Sequence, residues 1–503
     1  MNYSVPAIFA TDSYKLTHSE MYPEGMELLF STWVPRSDRI ARDINRQLNG
    51  QEGVVFFGIT DTINKLGAIF EDWFERDEHD VLTEYVNFFY AFLKVRPADA
   101  QIKRIADLHR LQYLPIAIHH LPEGTVTKTG VVQAVLYNTH KDFAWVTNYL
   151  ESLFSTLQWN AQTVASIARN YRDLCDMFAS DTCDNALHVD WQCHDFSLRG
   201  LSSLETSSSA QLGHLLYFNG TDTLPCLFRG EETYVDFDIS HYGSVPATEH
   251  SVMCAGGELS ERETFERIMK VYPTGIVSIV SDTWDFWKVL TVHLPALKDQ
   301  IMAREGKLVI RPDSGNPIDI ICGDPNAEWG TPAHKGAIQL LWDAFGGETN
   351  SKGYKVLDSH IGLIYGDSVT LERAKRIFER LQENGFASSN VVLGVGSYTY
   401  QCNTRDTYGF AMKATGAIVS GEERALFKDP ITDDGTKKSF KGFLSTRYDE
   451  ARDEFYTVDR LSFNDFLNDT TSAFEIFDFE TDMDHGVRID PVYWTDVQTE
   501  ARA

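Results

Sequence analysis

The stretch "KLVIRPDSGNP", Lys307 to Pro317, decides the reading of this chain. Leu308, Val309 and Ile310 form a short apolar run of strand length. Arg311 and Asp313 stand at its end, and Ser314, Gly315, Asn316 and Pro317 supply a turn. An ordinary charged surface turn would explain this stretch alone. The same pattern recurs along the chain, however. "HDFSLRG", "GTD", "VSD", "RPDSG", "GDS" and "GVGS" each close a strand-like run with a polar cluster. Helical patterns separate several of these runs. Leu371, Ala374, Ile377, Phe378 and Leu381 fall at helical spacing and Gly385 ends that helix. Strands alternating with helices imply parallel βα units, and near-continuous apolar strands imply burial on both faces. In a parallel barrel all C-terminal strand ends lie on one face, where active sites are built. Six polar clusters in register predict such a site.

The rest of the chain frames that barrel. With 503 residues the protein is too long for one compact core. The expected class is α/β: an irregular, TIM-like α/β barrel plus an α+β domain formed from N- and C-terminal segments. Residues 1–155 read as the N-terminal α+β part, from "LLFSTWV", "GVVFFGI", "LPIAIHHLPEGTVTKTGVVQAVLYN" and a helix near "DVLTEYVNFFYAFLKV". Residues 156–400 hold the barrel. There "LHVDWQCHDF", "GIVSIVSD", "HIGLIYGDS" and "NVVLGVGS" read as strands, and "SSLETSSSAQLGHLL" and "TWDFWKVLTVHLPALKDQI" as helices. Residues 401–503 look like β structure returning to the first domain.

Composition limits the function. A net charge of −28 disfavours general binding to a nucleic-acid backbone, so a local basic pocket would stand out. The seven cysteines are scattered and contain no CxxC pair, which fits reduced thiols in a cytoplasm and offers no zinc framework. The N-terminus has no signal-peptide pattern, and no apolar run reaches transmembrane length. Arg199, Arg311 and Arg405 sit at strand ends or glycine-containing loops, and an arginine fork suits phosphate oxygens. Lys413, Lys428, Lys437, Lys438 and Lys441 concentrate in the tail. Together these cations suggest a polyphosphate substrate, although any one lysine alone reads as surface solubility. Gly394 and Gly396, and Gly366 before Asp367, would let backbone amides approach a phosphate. No Walker A loop and no GxGxxG turn is present. His250, beside Glu249, reads as nucleophile, acid/base or core residue, and Asp282 and Asp285 offer carboxylates to orient it. Asp222 reads as a turn residue or cap as readily as a ligand contact.

"ATDSYKLTHSEMYP", "HDFSLRG", "GTDT", "GSVPATEHS", "SIVSDTWD", "IRPDSGNP", "YGDS", "NTRD" and "LFKDP" follow one another in this order. In this the chain resembles the nicotinamide phosphoribosyltransferases, type II phosphoribosyltransferases, from about residue 7 to about residue 445. The resemblance implies a head-to-tail homodimer with shared sites. It implies transfer of phosphoribosyl from phosphoribosyl pyrophosphate to nicotinamide, with ATP hydrolysis coupled through a phosphohistidine and Mg2+ accompanying the phosphates. By that resemblance Phe196 and the partner subunit's Tyr14 stack on the pyridine ring, and Asp222 accepts from the carboxamide. Arg199, His250 and Arg311 hold the pyrophosphate end. Asp313, Gly366, Asp367, Gly396, Ser397 and Arg405 lie around ribose and 5′-phosphate, with Ser244 and Ser278 in the same set. His250 is the phosphorylated histidine, with Asp282 and Glu249 near it. Arg36, Lys413, Lys428 and Lys437 reach phosphates across the dimer. Asp313 is the one residue offered to Mg2+.

The chain departs from the family pattern at three places. Ser197 and Leu198 replace a Gly-Tyr or Gly-Ala pair, "GVGSY" replaces "GSGGG", and the lysine segment after "FKDP" is one residue longer. On this reading Arg311 stabilises the charge growing on departing pyrophosphate, and Asp313 bonds a ribose hydroxyl or a magnesium-bound water. Two alternatives remain: a nicotinate phosphoribosyltransferase, and a silent binding protein on the same fold. Asp222 opposes the first, because a carboxylate facing a carboxylate is repelled. Retention of Asp222, His250, Arg311 and Asp313 opposes the second.

Overall fold

The computed structural model describes residues 5–41, 53–366, 369–427 and 440–503. Asp367, Lys428, Lys437 and Lys438 lie outside the described residues.

Six parallel strands form the second domain's sheet, in the order Gly220–Thr221, Cys193–Asp195, Val391–Val395, Ile361–Tyr365, Leu308–Arg311 and Val277–Val280. Both edges of that sheet meet the same segment. Gly243 bridges in parallel to Gly220, and Ala247 bridges in parallel to Ser278. The Thr221 amide donates to the Gly243 carbonyl at 3.1 Å, and the Thr248 amide donates to the Ser278 carbonyl at 3.0 Å. Residues 243–248 therefore close the sheet on itself, which removes both exposed edges. Apolar residues of these strands share one core with the surrounding helices, including Val277, Ile279, Leu308, Ile310, Leu363, Leu393 and Val395.

The first domain is built on an antiparallel sheet in the order Glu422–Ala425, Phe410–Val419, Met26–Pro35, Ala134–Asn138, Ile116–His120 and Glu475–Asp478. Three of its six strands come from beyond residue 400, as the alternating tail suggested. The expected boundary at residue 155 falls inside a helix. Helix Glu151–Thr182 runs through it, with Phe154 in the first core and Ala161 through Ala179 in the barrel core. The tail also divides. Its last helix, Trp494–Arg502, packs Trp494, Val497 and Ala501 into the barrel core, and Tyr217 donates its hydroxyl to the Ala501 carbonyl at 3.0 Å.

Four local expectations change. "LHVDWQCHDF" yields only strand Cys193–Asp195, because Val189–Trp191 winds into a 3-10 turn. "GVVFFGI" pairs only at Val54–Val55. Gly58, at φ 87°, then turns the chain into helix Ile59–Phe74, and a short buried apolar run does not distinguish these outcomes. "SSLETSSSAQLGHLL" gives two short helices, Leu204–Ser209 and Leu212–Leu215. The "TWDFWKVLTVHLPALKDQI" helix is broken into short pieces, with a π turn at Val289–His293 just before Pro295. Proline lacks the N–H that the regular ladder needs, and a widened turn accommodates the loss. Helix Leu371–Glu383 matches its periodicity: Leu371, Ala374, Ile377, Phe378 and Leu381 are buried, and Thr370 caps it by accepting from the Arg373 amide.

Candidate active site

Strand ends bring Phe196, Asp222, His250, Asp282, Arg311, Asp313, Gly366 and Ser397 to one rim of the barrel. The opening question about Arg311 and Asp313 is answered by how their turn is held. Asp282, from the neighbouring strand end, is 4% exposed and accepts through Oδ2 from the Asp313 amide at 2.8 Å, the Ser314 amide at 2.8 Å and the Ser314 hydroxyl at 2.6 Å. Tyr365 donates its hydroxyl to the Gly315 carbonyl at 2.9 Å, and Gly315 has φ 93°, where glycine is favoured. Two strands thus clamp the turn from both sides. Arg311 donates through Nη2 to the Thr248 carbonyl at 2.6 Å, and its Nε lies 3.6 Å from Asp313 Oδ1. Among the described residues that buried Nε has no hydrogen-bond partner.

His250 faces two carboxylates. Its Nε2 lies 3.8 Å from Asp282 Oδ1 and 3.8 Å from Asp313 Oδ2, and its Nδ1 is 3.3 Å from the Thr283 hydroxyl. The His250 side chain is 49% exposed, which leaves the ring open to a reactant. Asp282 Oδ1 is buried and has no hydrogen-bond partner among the described residues, so the carboxylate is anchored through one oxygen and presents the other to His250. Glu249 accepts from the Ser251 hydroxyl, on the exposed side of the same segment.

Asp222 follows the edge strand Gly220–Thr221 on the same rim. His194 Nε2 donates to Asp222 Oδ1 at 2.9 Å, and the Ser244 hydroxyl donates to the same oxygen. Burial alone would raise the Asp222 carboxyl. The hydrogen bond and charge of His194, the Ser244 hydroxyl and the charge of Arg311 outweigh it and hold the group below its ordinary value. The Phe196 and His194 ring centroids are 4.7 Å apart. A carboxylate acceptor beside an aromatic face can hold a planar ring that carries an amide.

Glycines make room for these groups. A Cβ on Gly366 would lie 2.2 Å from Asp313 Oδ1, and one on Gly394 would lie 2.7 Å from Phe196 Cδ2. A Cβ on Gly200 would lie 2.0 Å from Ser397 Oγ, so Gly200 provides the space for the serine that replaces a family glycine. Gly396 precedes the short helix Ser397–Gln401, and a Cβ there meets nothing within 4 Å. The other departure, Ser197, is buried with its amide donating to Asp195 Oδ1 at 2.9 Å.

The structure also places the other expected residues. Ser244, expected in the phosphate and ribose set, donates its hydroxyl to Asp222. Ser278 is buried within its strand rather than at the strand end, and its hydroxyl has no partner among the described residues. Arg199 is exposed beside the rim, in the 3-10 turn Leu198–Gly200. Arg405 is exposed, 3.7 Å from Asp406. Tyr14 is 57% exposed on the 3-10 helix Ser13–Glu20, and among the described residues no ring contact joins it to Phe196. Arg36 donates to the Gly409 carbonyl at 2.9 Å, and Lys413 projects from the first-domain sheet, 4.0 Å from Glu151. His194 was not singled out in the sequence.

A family model described as "Nicotinate phosphoribosyltransferase (NAPRTase) family" matches residues 191–462, which span the barrel and part of the returning tail. The chain belongs to the NAPRTase family. It is 44% identical over 473 residues to the nicotinamide phosphoribosyltransferase of Acinetobacter baylyi, covering 92% of each chain. It is 34% identical over 466 residues to the nicotinamide phosphoribosyltransferase of Mycoplasma pneumoniae, covering 88% of this chain and 96% of that protein. In fold, this NAPRTase-family chain is similar to human nicotinic acid phosphoribosyltransferase, with a TM-score of 0.52 at 14% identity, over 98% of this chain and 93% of that one. It is also similar to nicotinate-nucleotide pyrophosphorylase from Pyrococcus furiosus, with a TM-score of 0.55 at 12% identity, over 100% of this chain and 97% of that one.

Proposed function

We propose that this chain is a nicotinamide phosphoribosyltransferase. It joins nicotinamide to 5-phosphoribosyl 1-pyrophosphate, giving nicotinamide mononucleotide and pyrophosphate in NAD salvage. The observation that carries the reading is the Asp222 carboxylate, fixed on the rim by the His194 ring and the Ser244 hydroxyl, with that ring's centroid 4.7 Å from Phe196. A carboxylate accepts from a carboxamide NH2 and repels the carboxylate of nicotinic acid. The curated relatives from Acinetobacter baylyi and Mycoplasma pneumoniae support it by name.

The pyridine ring stacks on Phe196, with its carboxamide toward Asp222. Its ring nitrogen attacks C1 of the ribose as the bond to pyrophosphate breaks, so positive charge grows on the sugar and negative charge on the leaving group. The Arg311 fork meets that negative charge from a fixed turn, with little reorganisation needed during reaction. Asp313 bonds a ribose hydroxyl. The Gly366 and Gly396 backbone, with Ser397, Arg199 and Arg405, surrounds the phosphates. Mg2+ prefers oxygen ligands and commonly rides on substrate phosphates. Among the described residues no group of three or more His, Cys, Asp or Glu is placed to hold a metal ion. Asp313 would be the protein carboxylate offered to a phosphate-borne ion, which when bound would help neutralise the departing pyrophosphate.

ATP acts as co-substrate through His250. A ring nitrogen takes the γ-phosphoryl group, the bond to ADP breaks, and Asp282 and Asp313 hold the ring's orientation. The enzyme works as a homodimer in which the partner subunit's Tyr14 covers the second face of the pyridine, and Arg36, Lys413, Lys428 and Lys437 reach phosphates across the interface. It works in the cytoplasm, a reading supported by seven scattered, unpaired cysteines.

Asp222→Asn tests the reading. The variant loses preference for nicotinamide over nicotinic acid when both compete for phosphoribosyl pyrophosphate. An unchanged preference removes Asp222 as the selector.

A further inference from the structure

His194 occupies the middle of strand Cys193–Asp195 and pairs in register with Gly220 on one side and Gly394 on the other. Both neighbours lack a side chain, and the cleared space is filled. A Cβ on Gly220 would lie 2.7 Å from His194 Nδ1, and one on Gly394 would lie 2.7 Å from Phe196 Cδ2. The two rings thus occupy a slot that the flanking glycines open. The His194 side chain is 11% exposed, and its Nε2 is 2.9 Å from Asp222 Oδ1. The Ser244 hydroxyl donates to that same oxygen. Among the described residues, both side-chain hydrogen bonds to Asp222 fall on Oδ1. Two donors on one oxygen fix the carboxylate plane and leave Oδ2 as the acceptor for a ligand.

We propose that His194 is a positioning residue that determines specificity: its Nε2–H clamps Asp222 so that Oδ2 meets the acceptor's carboxamide, and the preference for amide over acid depends on that clamp. The inference rests on the nicotinamide reading given above. Its physical basis is the balance at Asp222, where burial opposes ionisation while His194, Ser244 and the Arg311 charge favour it. Removing the imidazole donor removes the largest favourable contribution. The carboxylate is then free to turn and easier to protonate. A protonated Asp222 donates to a carboxylate instead of repelling it, so nicotinic acid becomes acceptable. His214 and Asp195 are the other titratable groups near His194; among the described residues neither side chain hydrogen bonds to the Asp222 carboxylate, while the Asp195 carbonyl accepts from the Asp222 amide at 2.9 Å.

Two variants separate donation from space-filling. His194→Phe keeps a ring and loses the donor, and His194→Gln keeps an N–H at similar reach. For His194→Phe, the kcat/KM ratio of nicotinamide to nicotinic acid should fall about tenfold or more, the size of one hydrogen bond to a charged group. That fall should appear in the nicotinamide KM, with kcat changed far less, and His194→Gln should stay close to the wild type. A second readout needs no turnover. Infrared titration of the Asp222 carboxyl in substrate-free protein, taken as a difference against Asp222→Asn, should move upward in His194→Phe and return toward the wild-type value in His194→Gln. The inference is overturned if His194→Phe keeps the wild-type preference, if both variants lose it equally, or if the Asp222 titration does not move. A wild-type protein that ignores nicotinamide overturns the functional reading, and this inference with it. A shifted titration beside an unchanged preference overturns the inference alone.

Discussion

Gly366→Ala is the most demanding single substitution for this account. A Cβ at this position would lie 2.2 Å from Asp313 Oδ1 and 3.4 Å from Arg311 Cδ. The second distance is an ordinary contact, and the first is not. The Asp313 main chain cannot retreat, because Asp282 holds its amide and that of Ser314 at 2.8 Å. The carboxylate must instead swing by about 1 Å, away from His250 and Arg311, and a displacement of that size at a reacting centre costs on the order of 100-fold in rate. Overpacking adds roughly 1–3 kcal/mol of destabilisation. The assay is steady-state transfer with each substrate varied, beside a thermal melt of the same sample. The expected result is a kcat lowered about 100-fold in a protein that still folds, with nicotinamide KM little changed because Asp222 and Phe196 are untouched. A kcat within threefold of wild type would refute the claim that Asp313 is held where the ribose and pyrophosphate react.

His250→Ala should abolish ATP hydrolysis and leave slow phosphoribosyl transfer, and residual transfer that ATP still stimulates contradicts the phosphohistidine role. Asp61→Ala should lower the unfolding free energy measured by urea titration by about 3–5 kcal/mol, with a lower midpoint, because it leaves Arg229 and Lys65 buried without their shared carboxylate. Burial raises the Asp61 carboxyl, but the charges of Lys65 and Arg229 and hydrogen bonds from Ser209 and Arg229 win and lower it. A depressed folded-state value gives stability that is fully present above the unfolded aspartate value near 3.9 and is lost as pH falls through the folded one, so the variant and wild type should converge in acid. An unchanged midpoint, or a gap that widens in acid, contradicts this. Mixing inactive Tyr14→Ala and Arg311→Ala chains should restore about a quarter of wild-type activity after random exchange, since half the dimers are mixed and each has one intact site. Confirmed exchange without recovered activity contradicts a shared site.

The barrel was legible because its chemistry repeats. Each strand has to end where a helix begins, so polar residues after apolar runs mark one face. Arg311, Asp313, Phe196, Asp222, His250 and Asp282 all come to that rim. The closing segment was not legible. It reaches both sheet edges through backbone bonds at Gly243, Pro246 and Thr248, and a few bridges carry no apolar period. The two-residue strand Gly220–Thr221 escapes the same test, although "GTD" marked its end. His194 was passed over because sequence spacing says nothing of a bond across neighbouring strands, and the glycines that create its slot lie 26 and 200 residues away. The Ser244 bond to Asp222 was not legible either, because its own loop gives no sign of it. Helical breaks at Pro295 and between Ser209 and Leu212 depend on packing and on a missing N–H rather than on hydrophobic pattern.

The central claim is that the rim selects a pyridine amide as phosphoribosyl acceptor. The direct measurement is a competition: purified wild-type protein, phosphoribosyl pyrophosphate, Mg2+ and ATP, with equal nicotinamide and nicotinic acid, products resolved by mass. The account predicts nicotinamide mononucleotide and pyrophosphate in equal amounts, with little nicotinic acid mononucleotide. Nicotinic acid mononucleotide as the main product, or no mononucleotide at all, would contradict it.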